Sequence, residues 1–320
     1  MQEREYIKNL KSFSNFLQDL DSDRLFHAIM LINPDSEFLK TYSNLLAGEI
    51  LARGSSDRER AIAKVEKEIH PDLFVYGKDK PIDASIAKDI ASGVFVAPYE
   101  GDRKVYIIDK FDEIMPAGAN KLLKTIEEPP TGVTFILLVR NDSRVLQTLL
   151  SRSQKFYLEG YGLEQVASIL KAKQVKDYDV ISLESGGNLT DAIKLAGNKN
   201  SAKIATFVLD TLEDFRITTQ LARFTMMAEE FKETLPELMS FFSVICSLAI
   251  HVRAGKEISC TSEMRIAVNR IARIWNYRGL VSVIDASIEA LKKIESFVST
   301  SNVIDQFLLK ILEIRRKCRV

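Results

Sequence analysis

Apolar residues fall along this chain in two rhythms. In the first half they form short, largely unbroken runs at 28–32 (AIMLI), 73–76 (LFVY), 105–108 (VYII) and 133–139 (VTFILLV), with a last one at 155–158 (KFYL). A run that is apolar at nearly every position, rather than every second one, predicts a strand covered on both faces, as in a parallel sheet. Between these runs the spacing becomes helical. Ile86, Ala87 and Ile90 follow Asp83, a candidate N-cap. Leu122, Leu123 and Ile126 lie between Pro116, which suits a first turn, and Pro129-Pro130, which end the helix. Ser143 reads as the cap of a short helix over 145–150, and 2–20 reads as one amphipathic helix with Ile7, Leu10, Phe13, Phe16, Leu17 and Leu20 inward. Strands alternating with helices predict a three-layer α/β domain with a mainly parallel sheet, assigned to residues 1–157.

The second half carries helical spacing only. A small unit over 158–200 holds helices at 163–172, 177–184 and 189–196, the last preceded by Ser185-Gly186-Gly187-Asn188. From 201 to 320, apolar stripes at 204–215, 235–252, 264–275, 280–297 and 303–314 predict an all-α bundle. The most apolar window, 238–250, is shorter than the ~20 residues that cross a bilayer and reads as a buried helix.

Composition narrows the class. The 320 residues suit two or three domains, and 44 basic against 44 acidic side chains give no net charge, so any nucleic-acid or membrane contact must be local. The start, MQEREYIKNL, lacks the apolar core of a signal peptide. Cys246, Cys260 and Cys318 are scattered without metal-ligand spacing, and His70 stands alone; no metal is expected, and a reducing, cytoplasmic compartment fits. His27, His70 and His251 have no nucleophile setting.

The candidate chemistry gathers in 104–130. Asp109 ends a strand at its carboxyl edge, where open α/β sheets bind ligands. Glu127 and Glu128 sit at a helix carboxyl end, where the macrodipole disfavours them, and such a broken local rule marks a site. Asp112 reads as a solvated or helix-capping acid.

These residues also carry a resemblance. The run from Val105 to Pro130, VYIID…AGANKLLKTIEEPP, resembles the Walker-B strand and following helix of clamp-loader AAA+ subunits of bacterial DNA polymerase III, the delta-prime type in particular. Arg24-Leu25-Phe26-His27-Ala28, His70-Pro71-Asp72-Leu73, Pro98-Tyr99-Glu100-Gly101 and Ser151-Arg152-Ser153 follow in the same order as in that family. The resemblance implies an AAA+ base domain over 1–157, a helical lid over 158–200 and a helical collar over 201–320 through which subunits form a ring.

Against the family pattern, the phosphate-loop position reads Pro34-Asp35-Ser36-Glu37-Phe38-Leu39-Lys40. It has no glycine, and Leu39 stands where the phosphate lysine belongs. Lys110 replaces the catalytic acid after Asp109, and Thr190 stands where the lid's sensing arginine belongs. No intrinsic ATPase and no cofactor are therefore expected. Ser151-Arg152-Ser153 is similar to the family's Ser-Arg-Cys motif, which makes Arg152 the candidate catalytic residue, an arginine finger reaching a neighbour's ATP; the plain alternative is a solvated surface arginine. Arg315, Arg316, Lys317 and Arg319 form a basic tail too short to argue strongly for nucleic acid.

The resemblance implies a non-catalytic part of a DNA polymerase holoenzyme. Its partners would be gamma/tau-type ATPase and delta-type subunits, with the sliding clamp and primed DNA met through the complex and no membrane. Two alternatives remain at this stage: an AAA+ ATPase with an atypical nucleotide site, and a stand-alone DNA-binding module of replication or repair.

Overall fold

The computed structural model describes residues 2–22, 26–53, 55–176, 178–197, 201–258, 262–296 and 299–318. Arg24, Leu25, Cys260 and Arg319 lie outside the described residues. The chain divides into two compact units, Met1–Gly160 and Tyr161–Val320.

The first unit is built on five parallel strands: β1 (Ala28–Ile32), β2 (Leu73–Tyr76), β3 (Lys104–Ile108), β4 (Val133–Val139) and β5 (Gln154–Tyr157). They lie side by side in the order β2-β3-β4-β1-β5. β1, β3 and β4 are buried at every position, as their unbroken apolar runs require, and they are the central three. The outermost β5 alternates between half-buried and exposed residues, the pattern of an edge strand.

Helices cover this sheet: α1 (Gln2–Lys8), α2 (Lys11–Asp21), α3 (Ser36–Arg53), α4 (Arg58–Glu66), α5 (Ala84–Gly93), α6 (Pro116–Glu127) and α7 (Gln147–Leu150). One core packs Ile82, Ala87, Ile90, Ala119, Leu122, Ile126 and Leu149 against Met30, Tyr106, Ile108, Phe135 and Leu137. Asp83 caps α5 as expected, accepting from the Ser85 and Ile86 amides at 2.8 and 2.9 Å.

Two local expectations fail for physical reasons. The helix expected over 2–20 breaks at Asn9–Leu10, where Leu10 is extended and its carbonyl starts α2 by accepting from Phe13 and Ser14. Steps of three residues drift back about 60° each around a helix, so Ile7 and Phe16 would face opposite sides of a straight rod. The break lets both be buried. Ser143 caps no helix; its amide and hydroxyl both donate to the Asn141 side chain, which holds a single tight turn before α7.

The second unit is helical throughout the described residues: α8 (Leu163–Ala172), α9 (Tyr178–Glu184), α10 (Leu189–Ala196), α11 (Ser201–Asp214), α12 (Leu221–Glu229), α13 (Leu235–Arg253), α14 (Ser262–Ile274), α15 (Tyr277–Glu295) and α16 (Thr300–Lys317). Of these, α12 was not anticipated, although Leu221, Phe224 and Ala228 do recur at helical spacing. The stretch Lys232–Arg253 is, by length and composition alone, enough to cross a membrane, contrary to the reading of 238–250 as too short. Its Leu238, Phe241, Phe242, Ile245, Cys246 and Ala249 are nevertheless buried in one protein core, where α13 packs against α11, α14 and α15.

The basic tail is not what its sequence suggests. Arg315 is only 8% exposed, and its guanidinium donates to the carbonyls of Leu212, Glu213 and Phe215 at 2.8 to 3.1 Å. It lies over the Trp275 ring, 5.2 Å from the centroid. It therefore closes the carboxyl end of α11, where orphan carbonyls and the helix dipole both call for a cation. Lys317 pairs with Glu313, so among the described tail residues only Arg316 remains a plain surface charge.

Candidate functional site

Parallel strands bring the ends of β1, β3 and β4 to one edge of the sheet, and the expected site residues collect there. The chain leaves β1 through Asn33-Pro34-Asp35 and enters α3 at Ser36. Asn33 is 5% exposed; its Nδ2 donates to the Leu158 carbonyl at 2.7 Å and its Oδ1 accepts from the Asp35 amide at 2.7 Å. Asp35 is 2% exposed, and its Oδ1 accepts from the Glu37 and Phe38 amides at 3.0 and 3.2 Å. The amides at the start of α3, which would otherwise hold an anion, are thus bound by the chain's own carboxylate. An Asp35→Ala variant is expected to lose about 1–2 kcal/mol of stability, and Asp35→Asn much less because asparagine also caps; urea unfolding measures both.

Asp109 ends β3 and is buried. Its Oδ1 accepts from the Lys110 amide at 2.8 Å, while Oδ2 is enclosed without a hydrogen-bond partner. Burial raises the Asp109 pKa above the usual carboxylate value; Lys40, the Lys110 amide, Lys110 and Arg140 pull it back in part. Lys40, one turn into α3, is also paired with Glu37 at 3.2 Å.

Lys110 adopts a left-handed backbone conformation (φ 51°), and its Nζ donates to the Lys78 carbonyl at 2.9 Å. The lysine where the family has a catalytic acid is thus tied to a neighbouring loop. Asp112, read from sequence as a solvated or capping acid, is buried instead; its Oδ1 accepts from the Arg140 amide at 3.3 Å and lies 3.8 Å from Arg140 Nε. Arg140 also bonds Glu113, so this arginine is committed within the chain. In the second unit, Thr190 lies in the first turn of α10, which Asn188 caps through the Asp191 amide.

Arg152 stands apart from this edge residue set, between α7 and β5. Its Nη1 donates to the Thr148 carbonyl at 3.0 Å, and its Nε is ion-paired with Glu127 at the end of α6. The two residues keep 40% and 31% of their side-chain surface, so the guanidinium is anchored but accessible. Ser153, where the family motif has cysteine, is buried, and its hydroxyl has no partner. The Glu127–Arg152 pair was beyond sequence reasoning, which registered only an acid at the wrong end of a helix.

Strand order, the carboxylate ending β3 and the helical second half define an α/β protein of the AAA+ type. Residues 8–161 match the family model described as DNA polymerase III, delta subunit. Over 290 residues the chain is 23% identical to the DNA polymerase III subunit gamma of Buchnera aphidicola subsp. Baizongia pistaciae, covering 79% of this chain and 77% of that protein. It is 28% identical over 183 residues to subunit delta′ of Pseudomonas aeruginosa, covering 53% of this chain and 56% of that protein. A crystal structure of a gamma subunit-related protein from Thermotoga maritima aligns over 94% of this chain with 15% identity and a TM-score of 0.40, too low to add to what the strand order already gives. Over residues 8–161 the chain matches the clamp-loader family of DNA polymerase III subunits, and its relatives among curated proteins are subunits of that kind.

Proposed function

We propose that this chain is a non-catalytic, delta-prime-type subunit of a sliding-clamp loader, one that supplies Arg152 to a neighbouring ATPase. The observation that carries the reading is the Asp35 carboxylate seated on the amides at the start of α3. Magnesium-ATP is the group this fold implies, and the residues do not fit it. A phosphate brought to within about 4 Å of Asp35 meets a repulsion of about 4 kcal/mol per unit charge at an effective dielectric of 20. A helix N-terminus offers at most about 2 kcal/mol in return. Repulsion wins, and there is neither a glycine nor a phosphate lysine in the loop to offset it. Lys110, held by the Lys78 carbonyl, cannot take a proton from an attacking water as a carboxylate could. The comparisons include both gamma and delta′ subunits, so it is this loop chemistry that favours the non-catalytic type.

Within the same reading, 158–200 is the lid, 201–320 the collar through which the ring assembles, and the site of action is the cytoplasm. The partners are gamma/tau-type and delta-type subunits, with clamp and primed DNA met through the assembled complex. Mixing the full chain with those subunits from the same cell should yield one co-eluting complex, whereas the fragment ending at Gly160 should fold on its own core and fail to enter it. Assembly of that fragment with full affinity would remove the collar from the account.

A further inference from the structure

Glu127 is the last residue of α6, followed by the exposed Glu128 and by Pro129-Pro130. A carboxylate at that position opposes the helix dipole by about 0.3–1 kcal/mol, so stability alone does not account for it. What it meets there is Arg152. The guanidinium has a fixed planar fork, and two of its three nitrogens are engaged: Nε by Glu127 and Nη1 by the Thr148 carbonyl at 3.0 Å, with Ser151 Oγ a further 3.5 Å contact. The side chain nevertheless keeps 40% of its surface. The guanidinium is thereby fastened to the ends of α6 and α7 while part of it stays open to an acceptor outside the chain.

We infer that Glu127 is the positioning residue of Arg152: its carboxylate fixes the guanidinium plane so that the exposed part of the group is already aimed when a neighbour's phosphate arrives. The inference rests on the reading of Arg152 as a finger. A flexible arginine must give up rotamer freedom as it engages, whereas a fastened one has given it up beforehand, and catalysis by a point charge is sensitive to placement on the ångström scale. The opposite role is physically distinct. If Glu127 merely drained the positive charge of Arg152, its removal would strengthen the finger.

The sign of one change therefore separates the two roles. In a reconstituted complex whose only competent ATP site is the one facing this chain, Glu127→Gln should lower the single-turnover hydrolysis rate about tenfold. The ATP concentration giving half-maximal rate, and the affinity of assembly, should not move. Glu127→Asp should recover part of the loss, and Glu128→Gln, which touches no partner side chain among the described residues, should match the wild type. In the Arg152→Ala background, Glu127→Gln should cause no further loss, an outcome a general structural role for Glu127 would not give.

An unchanged or faster rate in Glu127→Gln, or an equal additional loss on top of Arg152→Ala, overturns the positioning role while leaving the finger intact. If Arg152→Ala itself has no effect, it is the finger that fails, and the inference with it.

Discussion

Replacing Arg152 with alanine is expected to lower ATP hydrolysis at the neighbouring site by about 10³-fold or more, the range over which a trans arginine acts, or about 4–7 kcal/mol of transition-state stabilisation. The isolated chain should remain folded. The Glu127 ion pair is half in solvent, and pairs of that kind contribute about 0–1 kcal/mol. Assembly should be nearly unchanged. Total turnover of the loader, measured with clamp and primed DNA, should fall less than the single-site rate, because other ATP sites keep their own arginines. Arg144→Ala is the control, an exposed arginine nearby but outside the Ser-Arg-Ser turn. Equal losses from both substitutions would return Arg152 to the rank of an ordinary surface charge.

The largest effect on stability is expected at Arg315. Truncation to alanine takes the charged donor from the carbonyls of Leu212, Glu213 and Phe215, leaving Trp275 Nε1 on the first and Arg216 on the second, and uncovers the Trp275 ring. Hydrogen bonds to a charged group contribute about 1.5–3 kcal/mol each and do not add, so the variant should lose about 3–5 kcal/mol. Lysine should recover only part of this, since an ammonium cannot span three carbonyls as the guanidinium fork does. Trp275 is the chain's single tryptophan and lies within the second unit, so its fluorescence reports that unit's unfolding directly. Arg316→Ala, one residue on and exposed, should change stability by less than about 0.5 kcal/mol.

The strands at 105–108 and 133–139 were legible because a strand covered on both faces leaves an unbroken apolar run, and few other elements do. The cap at Asp83 and the entry at Pro116 were legible because their chemistry is local. What escaped depends on partners distant in sequence. Arg315 and Arg316 are the same residue type side by side, and only the approach of α11 makes one buried and the other exposed. Asp112 has ordinary surroundings in sequence but meets the Arg140 amide in space. The break at Asn9–Leu10 could have been found by counting, since steps of three residues do not stay on one face.

The candidate site divides along the same line. That the Asn33–Lys40 turn departs from a phosphate loop was readable from the missing glycine and lysine. That Asp35 itself takes the anion's place needed the geometry, because an aspartate before a helix says only that the helix is capped.

Whether this chain takes up nucleotide itself decides its role in the ring. Equilibrium dialysis of the full chain against radiolabelled ATP with magnesium, carried to millimolar concentration, tests it most directly. The predicted result is no saturable binding and, in parallel, no ATP-dependent rise in the thermal midpoint. Stoichiometric binding with a micromolar dissociation constant would contradict it; at a hundred times that constant the ligand would also stabilise the fold by about 2.7 kcal/mol.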